Sequence, residues 1–249
     1  MAIHVTDTVA YWHMPKTGGM YVYKILQQMP GYRRIVGPRR HGPITEIPRG
    51  AVQNRTLFAT VRDPWSWYLS VYQMANSGVD GEALWSHYGN GDPSFRAALY
   101  GMTHPLDVAA GLPRQFGGVY TVPEADHEKT THNFLGSGLG LCSWTFRYVY
   151  GRPARPSVFV DTAQLTQGMA DLLTRPVEKI SHIPKENCAV HRPNSAFEDP
   201  ASLYDEEMKK WVAEADAPLI EAFGFSEPYG NARNAVMDAE DLIFAPSLR

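Results

Sequence analysis

Residues 56 to 61, Thr-Leu-Phe-Ala-Thr-Val, form a nearly continuous apolar run that ends on Arg62-Asp63-Pro64. Apolar character at successive rather than alternate positions means that both faces of such a strand are covered, the situation of a parallel sheet between two layers of helices. Asp63 is placed to cap a helix that Pro64 opens and that carries Trp67, Tyr68, Val71 and Tyr72. Upstream, Thr8 to His13 is a short β-rich run broken by Pro15 and the Gly18-Gly19 pair, after which Tyr21, Ile25 and Leu26 fall at helical spacing until Pro30-Gly31. Arg33 to Val36 supplies a second brief strand, and Ser157 to Val160 another, followed by an amphipathic segment from Thr162 to Leu173. Alternation of strands and helices predicts one α/β domain over residues 1–249, with helices on both faces of a central, mainly parallel sheet. Residues 77–151 are rich in Gly, Pro, His and aromatics without a sustained period, and read as helices and long loops over the carboxyl edge of the sheet, shaping an acceptor site. Tyr204 to Phe223 reads as one helix, opened by Asp205, Glu206 and Glu207 and stopped by Gly224. Roughly the last twenty residues read as a docked or loose tail.

Charge narrows what the domain can bind. With 23 Lys and Arg against 26 Asp and Glu, the formal net charge is −3, so no global positive field exists to hold a nucleic-acid backbone. An anion must be held by a local cluster. The first residues lack a basic segment followed by an apolar core, and no apolar stretch is long enough to span a bilayer. Two cysteines, Cys142 and Cys188, support neither a disulfide framework nor a four-thiolate metal site, and a reducing, cytoplasmic location is expected.

Two segments carry the candidate chemistry. His13-Met14-Pro15-Lys16-Thr17-Gly18-Gly19-Met20 joins a strand to a helix, where the amides of a glycine-bearing turn and the helix amino end converge. Glycines at 18 and 19 let the main chain approach an anion, Lys16 adds a cation and Thr17 a hydroxyl. Lys16 and Thr17 precede the glycines, so the Walker order of glycines followed by Lys and Ser/Thr is not met. In the second segment Arg62 emerges at the carboxyl end of a buried strand, and Ser70, about two turns along the next helix, offers a hydroxyl from the flank.

Together these segments resemble the sulfotransferases that use 3′-phosphoadenosine 5′-phosphosulfate, in the branch whose loop reads H-x-P-K-T-G-G and whose second motif reads R-D-P followed by S-x-Y. The resemblance covers roughly residues 9–30 and 56–74, with weaker echoes at 158–173 and from His191 into the Tyr204 helix. It implies a three-layer fold of the P-loop-containing nucleotide-hydrolase type. It also implies that Lys16, Thr17, Gly18, Gly19 and Met20 grip the 5′-phosphosulfate, that Arg62 and Ser70 grip the 3′-phosphate, and that Arg192, Asn194 and Ser195 help hold the nucleotide. Met20 departs from the hydroxyl residue common in the loop, and Trp67 stands where the second motif often has Arg.

Sulfuryl transfer to an alcohol needs a base for the acceptor proton, in-line placement, and donors for the charge growing on the departing phosphate, a role for Lys16 and the glycine amides. No metal is intrinsic to that chemistry. His41 follows the second strand, and because imidazole as a group exchanges its proton near neutral pH it is the expected base, with Glu46 as the alternative. The acceptor is a hydroxyl of a carbohydrate or other small molecule. Arg33, Arg34, Arg39 and Arg40 place four guanidinium groups within eight residues, either drawing in an acidic acceptor or forming a solvated strand rim. Two rivals remain: a magnesium-dependent nucleoside or sugar kinase with Val158 to Asp161 as its metal-binding strand, and a non-catalytic nucleotide or glycan binding module. The histidines of His127-Glu-Lys-Thr-Thr-His132 would lie about 140° apart on a helix, which disfavours a metal site, and Ser137 lacks the flanking pattern of a hydrolase nucleophile.

Overall fold

The computed structural model describes residues 2–36, 43, 47–76, 92, 94–105, 134, 137–151, 155–183, 200–226, 228 and 230–248. Six strands form one sheet: β1 (Ala2–Val5), β2 (Val9–Tyr11), β3 (Arg33–Val36), β4 (Thr56–Val61), β5 (Val158–Asp161) and β6 (Val236–Asp238), in the order β3-β1-β2-β4-β5-β6. β2, β4 and β5 run parallel, whereas β1 pairs antiparallel with both β2 and β3, and β6 pairs antiparallel with β5. The sheet is therefore mixed, not mainly parallel. On one side of its parallel centre β1 joins β2 by a tight turn at Thr6, whose Oγ1 accepts the Val9 N–H at 3.1 Å, with β3 outside it at the edge; on the other side the carboxyl-terminal segment folds back on β5. β6 lies in the stretch expected to be a tail; three residues are too short a run to announce a strand, and its existence depends on the exposed edge of β5.

Side chains of the central strands alternate between two cores. Val9, Tyr11, Phe58, Val158 and Val160 face α1 (Gly19–Leu26), α6 (Leu165–Leu172) and α7 (Glu178–Ser181). Ala10, Trp12, Ala59, Val61 and Phe159 face the larger core, built with α2 (Arg49–Val52), α3 (Pro64–Asn76), α4 (Phe95–Thr103), α5 (Leu141–Tyr150), α8 (Glu206–Ala215) and α9 (Ala217–Phe223). Helices on both sides explain why β4 is apolar at successive positions.

α5 is a core element. Phe146 packs against Phe159 of β5 at 5.6 Å between ring centroids, and Gly140 before it is buried against Tyr68 and Asp216. The segment expected as one helix from Tyr204 to Phe223 is two. Asp205 caps α8 by accepting from Met208 N at 2.8 Å, the chain turns at Asp216, and Pro218, which lacks an N–H, sits in the first turn of α9. Gly224, at φ 70°, ends α9 as its composition suggested. Among the described residues no helix is long and apolar enough to cross a membrane.

Candidate functional site

The parallel strands β2, β4 and β5 end at the same edge of the sheet, the edge where open α/β sheets place their ligands. The loop of residues 12–18 follows β2, Arg62 follows β4 and Thr162 follows β5. The three ends touch. Arg62 Nη1 donates to the Lys16 carbonyl at 3.2 Å, and Thr162 Oγ1, which donates to Val61 O at 2.7 Å, lies 3.4 Å from the Thr17 carbonyl. Segments 46 residues apart in the chain thus form one surface.

The loop is held from beneath by buried side chains. Tyr150 at the end of α5 accepts the Met14 N–H at 2.6 Å and donates to Trp12 O at 3.3 Å, while Trp67 Nε1 donates to Pro15 O at 2.9 Å. Trp67 is fully buried in α3 and acts there as a framework donor to the loop. Thr17 Oγ1 donates to Met14 O at 2.7 Å and lies 2.9 Å from Thr60 Oγ1, which in turn lies 2.8 Å from Tyr11 Oη. Each hydroxyl has one proton, so the donation runs from Tyr11 to Thr60 to Thr17 to the Met14 carbonyl. Burial raises the Tyr11 pKa and keeps that phenol a donor. The Thr17 hydroxyl therefore serves the loop's own framework in this arrangement.

Lys16 has φ 67° and Gly18 φ 77°, two left-handed residues in one short turn. Such alternation folds a chain around a concave set of N–H groups, and a non-glycine residue holds this conformation only where its surroundings enforce it. Gly18 is the residue before α1, and its carbonyl accepts from Tyr21 N at 3.0 Å and Val22 N at 3.3 Å, so the Gly19 and Met20 amides lie at the opening of the helix. The glycines answer to packing: a Cβ on Gly18 would lie 2.8 Å from Leu165 Cδ2, and one on Gly19 would lie 2.5 Å from His13 Nε2. His13 stacks on Tyr11 with the rings 8° from parallel, a framework role. The Met20 side chain is 52% exposed beside this opening.

Electrostatically the loop is cationic and partly dry. Burial, and secondarily the Arg62 guanidinium, lower the Lys16 pKa to about 8. Asp63 caps α3 by accepting the Ser66 N–H at 2.9 Å, and Ser66 Oγ accepts from Arg62 Nε at 2.8 Å. Ser70 lies one turn further along α3 and is 7% exposed. Sequence reasoning named Ser70 and passed over Ser66, although four-residue spacing from Arg62 was a readable signal; Tyr150 had none.

No family model, curated protein or solved structure matches this chain.

The remaining expectations divide by location. His41, Glu46, Arg39, Arg40, Arg192, Asn194, Ser195, His127, Glu128 and His132 lie outside the described residues. Arg33 and Arg34 are exposed on β3, an edge strand. Asp161, the acid of the kinase alternative, is 1% exposed, and accepts from Ala163 N at 3.1 Å, Gln164 Nε2 at 3.2 Å and Ala232 N at 3.1 Å. Its carboxylate ties the carboxyl-terminal segment to the end of β5.

Proposed function

We propose that the protein is a sulfotransferase that moves a sulfuryl group from 3′-phosphoadenosine 5′-phosphosulfate to a hydroxyl of a carbohydrate or other small acceptor. The observation that carries this reading is the 3.2 Å contact from Arg62 Nη1 to the Lys16 carbonyl, because it makes the two motifs of the sequence resemblance walls of one site. The α1 amino end and Lys16 suit the 5′-phosphosulfate; Arg62, with Ser70 on the helix that follows it, suits the 3′-phosphate. In the reaction the acceptor oxygen attacks sulfur, the bond from sulfur to the 5′-phosphate oxygen breaks, and the acceptor proton passes to a base, for which His41 and Glu46 are the proposed groups. The products are a sulfate ester and adenosine 3′,5′-bisphosphate. Lys16 and the first amides of α1 stabilise the negative charge that grows on the departing phosphate.

The engagement of Asp161 by two backbone amides and Gln164 weighs against the kinase alternative, which needs that carboxylate for magnesium. The experiment is to incubate the protein with the phosphosulfate donor and a panel of sugar and small-molecule alcohols in excess chelator, following release of adenosine 3′,5′-bisphosphate. Turnover in chelator supports the proposal. Phosphoryl transfer from ATP that requires magnesium overturns it, and tight bisphosphate binding without transfer to any acceptor favours a binding module.

A further inference from the structure

Arg62 is held at two separate edges of its guanidinium plane. Nη1 donates to the Lys16 carbonyl at 3.2 Å, and Nε donates to Ser66 Oγ at 2.8 Å. Ser66 Oγ also contacts the Asp63 carboxylate, whose Oδ1 accepts the Ser66 N–H at 2.9 Å. Directions follow from chemistry. A guanidinium only donates and an ionised carboxylate only accepts, so the single Ser66 proton goes to Asp63 and its lone pair receives Arg62. Asp63 is the N-cap of α3 and Ser66 its third residue, where a longer acid or amide would reach back to the cap's own amide. Here the short hydroxyl reaches the cap's carboxylate and turns its outer side to Arg62. Ser66 is 5% exposed and Asp63 4%, so water competes little with this relay.

We infer that Ser66 is a positioning residue: by relaying Asp63 to Arg62 Nε it fixes the guanidinium plane against the loop and aims Arg62 at the donor's 3′-phosphate. The inference rests on the reading of the site as a phosphosulfate site and adds a residue which the sequence resemblance does not name. A planar fork recognises a phosphate only in the right orientation. A serine relay fixes that orientation through the Nε edge of the guanidinium.

The test compares two nucleotides that differ only in the 3′-phosphate. Dissociation constants of adenosine 3′,5′-bisphosphate and adenosine 5′-monophosphate are measured by calorimetry for the wild type, Ser66→Ala and Ser66→Thr, with melting temperatures as the check on folding. Ser66→Ala is expected to weaken the bisphosphate about tenfold, on the scale of one lost hydrogen bond to a charged group, while the monophosphate is unchanged; Ser66→Thr, which keeps the hydroxyl, restores the preference. The positioning role is overturned if Ser66→Ala keeps the wild-type preference, if both nucleotides weaken equally, or if Ser66→Thr fails to restore it, since the last two assign the effect to helix packing. A wild-type protein without preference for the 3′-phosphate overturns the donor reading itself, and the positioning role falls with it.

Discussion

Arg62 donates through Nη1 to the carbonyl of Lys16 at 3.2 Å, which sets two cationic side chains at one edge of the sheet although they belong to different strand-to-helix connections. Lys16 holds φ 67° there, and the carbonyl that receives Arg62 is the one this left-handed turn presents. The proposed sulfuryl transfer assigns Lys16 the stabilisation of charge on the departing phosphate. Lys16→Ala is expected to lower kcat by about a hundredfold or more, the scale of removing one preorganised donor to a developing oxyanion. Steady-state kinetics at saturating donor check it; full turnover removes Lys16 from the mechanism.

The lowered Lys16 pKa, about 8, predicts pH-dependent binding for the proposed phosphate ligand. Burial and Arg62 both disfavour the cation, and a phosphate placed between them favours it, so binding raises the Lys16 pKa and takes up protons. Affinity for adenosine 3′,5′-bisphosphate should fall as pH rises through 8, where Lys16 in the free protein loses its proton. Calorimetry at pH 8 in buffers of different ionisation enthalpy should register proton uptake, and Lys16→Met should abolish it. Equal heats in all buffers would contradict the linkage.

Trp67 connects the core to the loop through the 2.9 Å bond from Nε1 to Pro15 O. Trp67→Phe keeps an aromatic ring at a fully buried position and removes that donor, at a cost of about 1–3 kcal/mol for the stranded carbonyl and the lost volume. Urea unfolding measures the stability change, and nucleotide binding should weaken with it because the loop loses a support. A variant as stable as wild type would show that the bond contributes nothing.

Asp216 gives a stability signature at acid pH. It is fully buried between α8 and α9, accepting from Tyr68 Oη and Ser143 N at 2.7 Å each, and desolvation raises its pKa to about 6. A carboxyl whose folded pKa lies above its unfolded value stabilises the fold while protonated, and that contribution is lost as pH climbs from about 4 to about 6. Burial raises the Tyr68 and Cys142 pKa values, so neither neighbour titrates in that window. The stability advantage of wild type over Asp216→Asn should therefore shrink between pH 4 and pH 7, by on the order of 2–3 kcal/mol. Denaturant unfolding across this range checks it, and a constant difference would contradict the burial effect.

Local sequence determined the elements whose signals lie within a few residues of one another. The β4 run, the Pro64 start of α3, the β3 strand and the Gly224 terminus each depend on contiguous pattern or on the φ restrictions of proline and glycine, and each stands where the sequence put it, whereas α1 ends at Leu26, ahead of the Pro30-Gly31 stop. The tertiary structure alone decided which of these ends meet. Tyr150 reaches Met14 across 136 positions, Tyr68 reaches Asp216 across 148, and β6 pairs with β5 because a free strand edge was there to be covered. Such contacts are chosen by packing and by the need to satisfy buried polar groups, which are properties of the assembled chain, and no window of neighbouring residues records them.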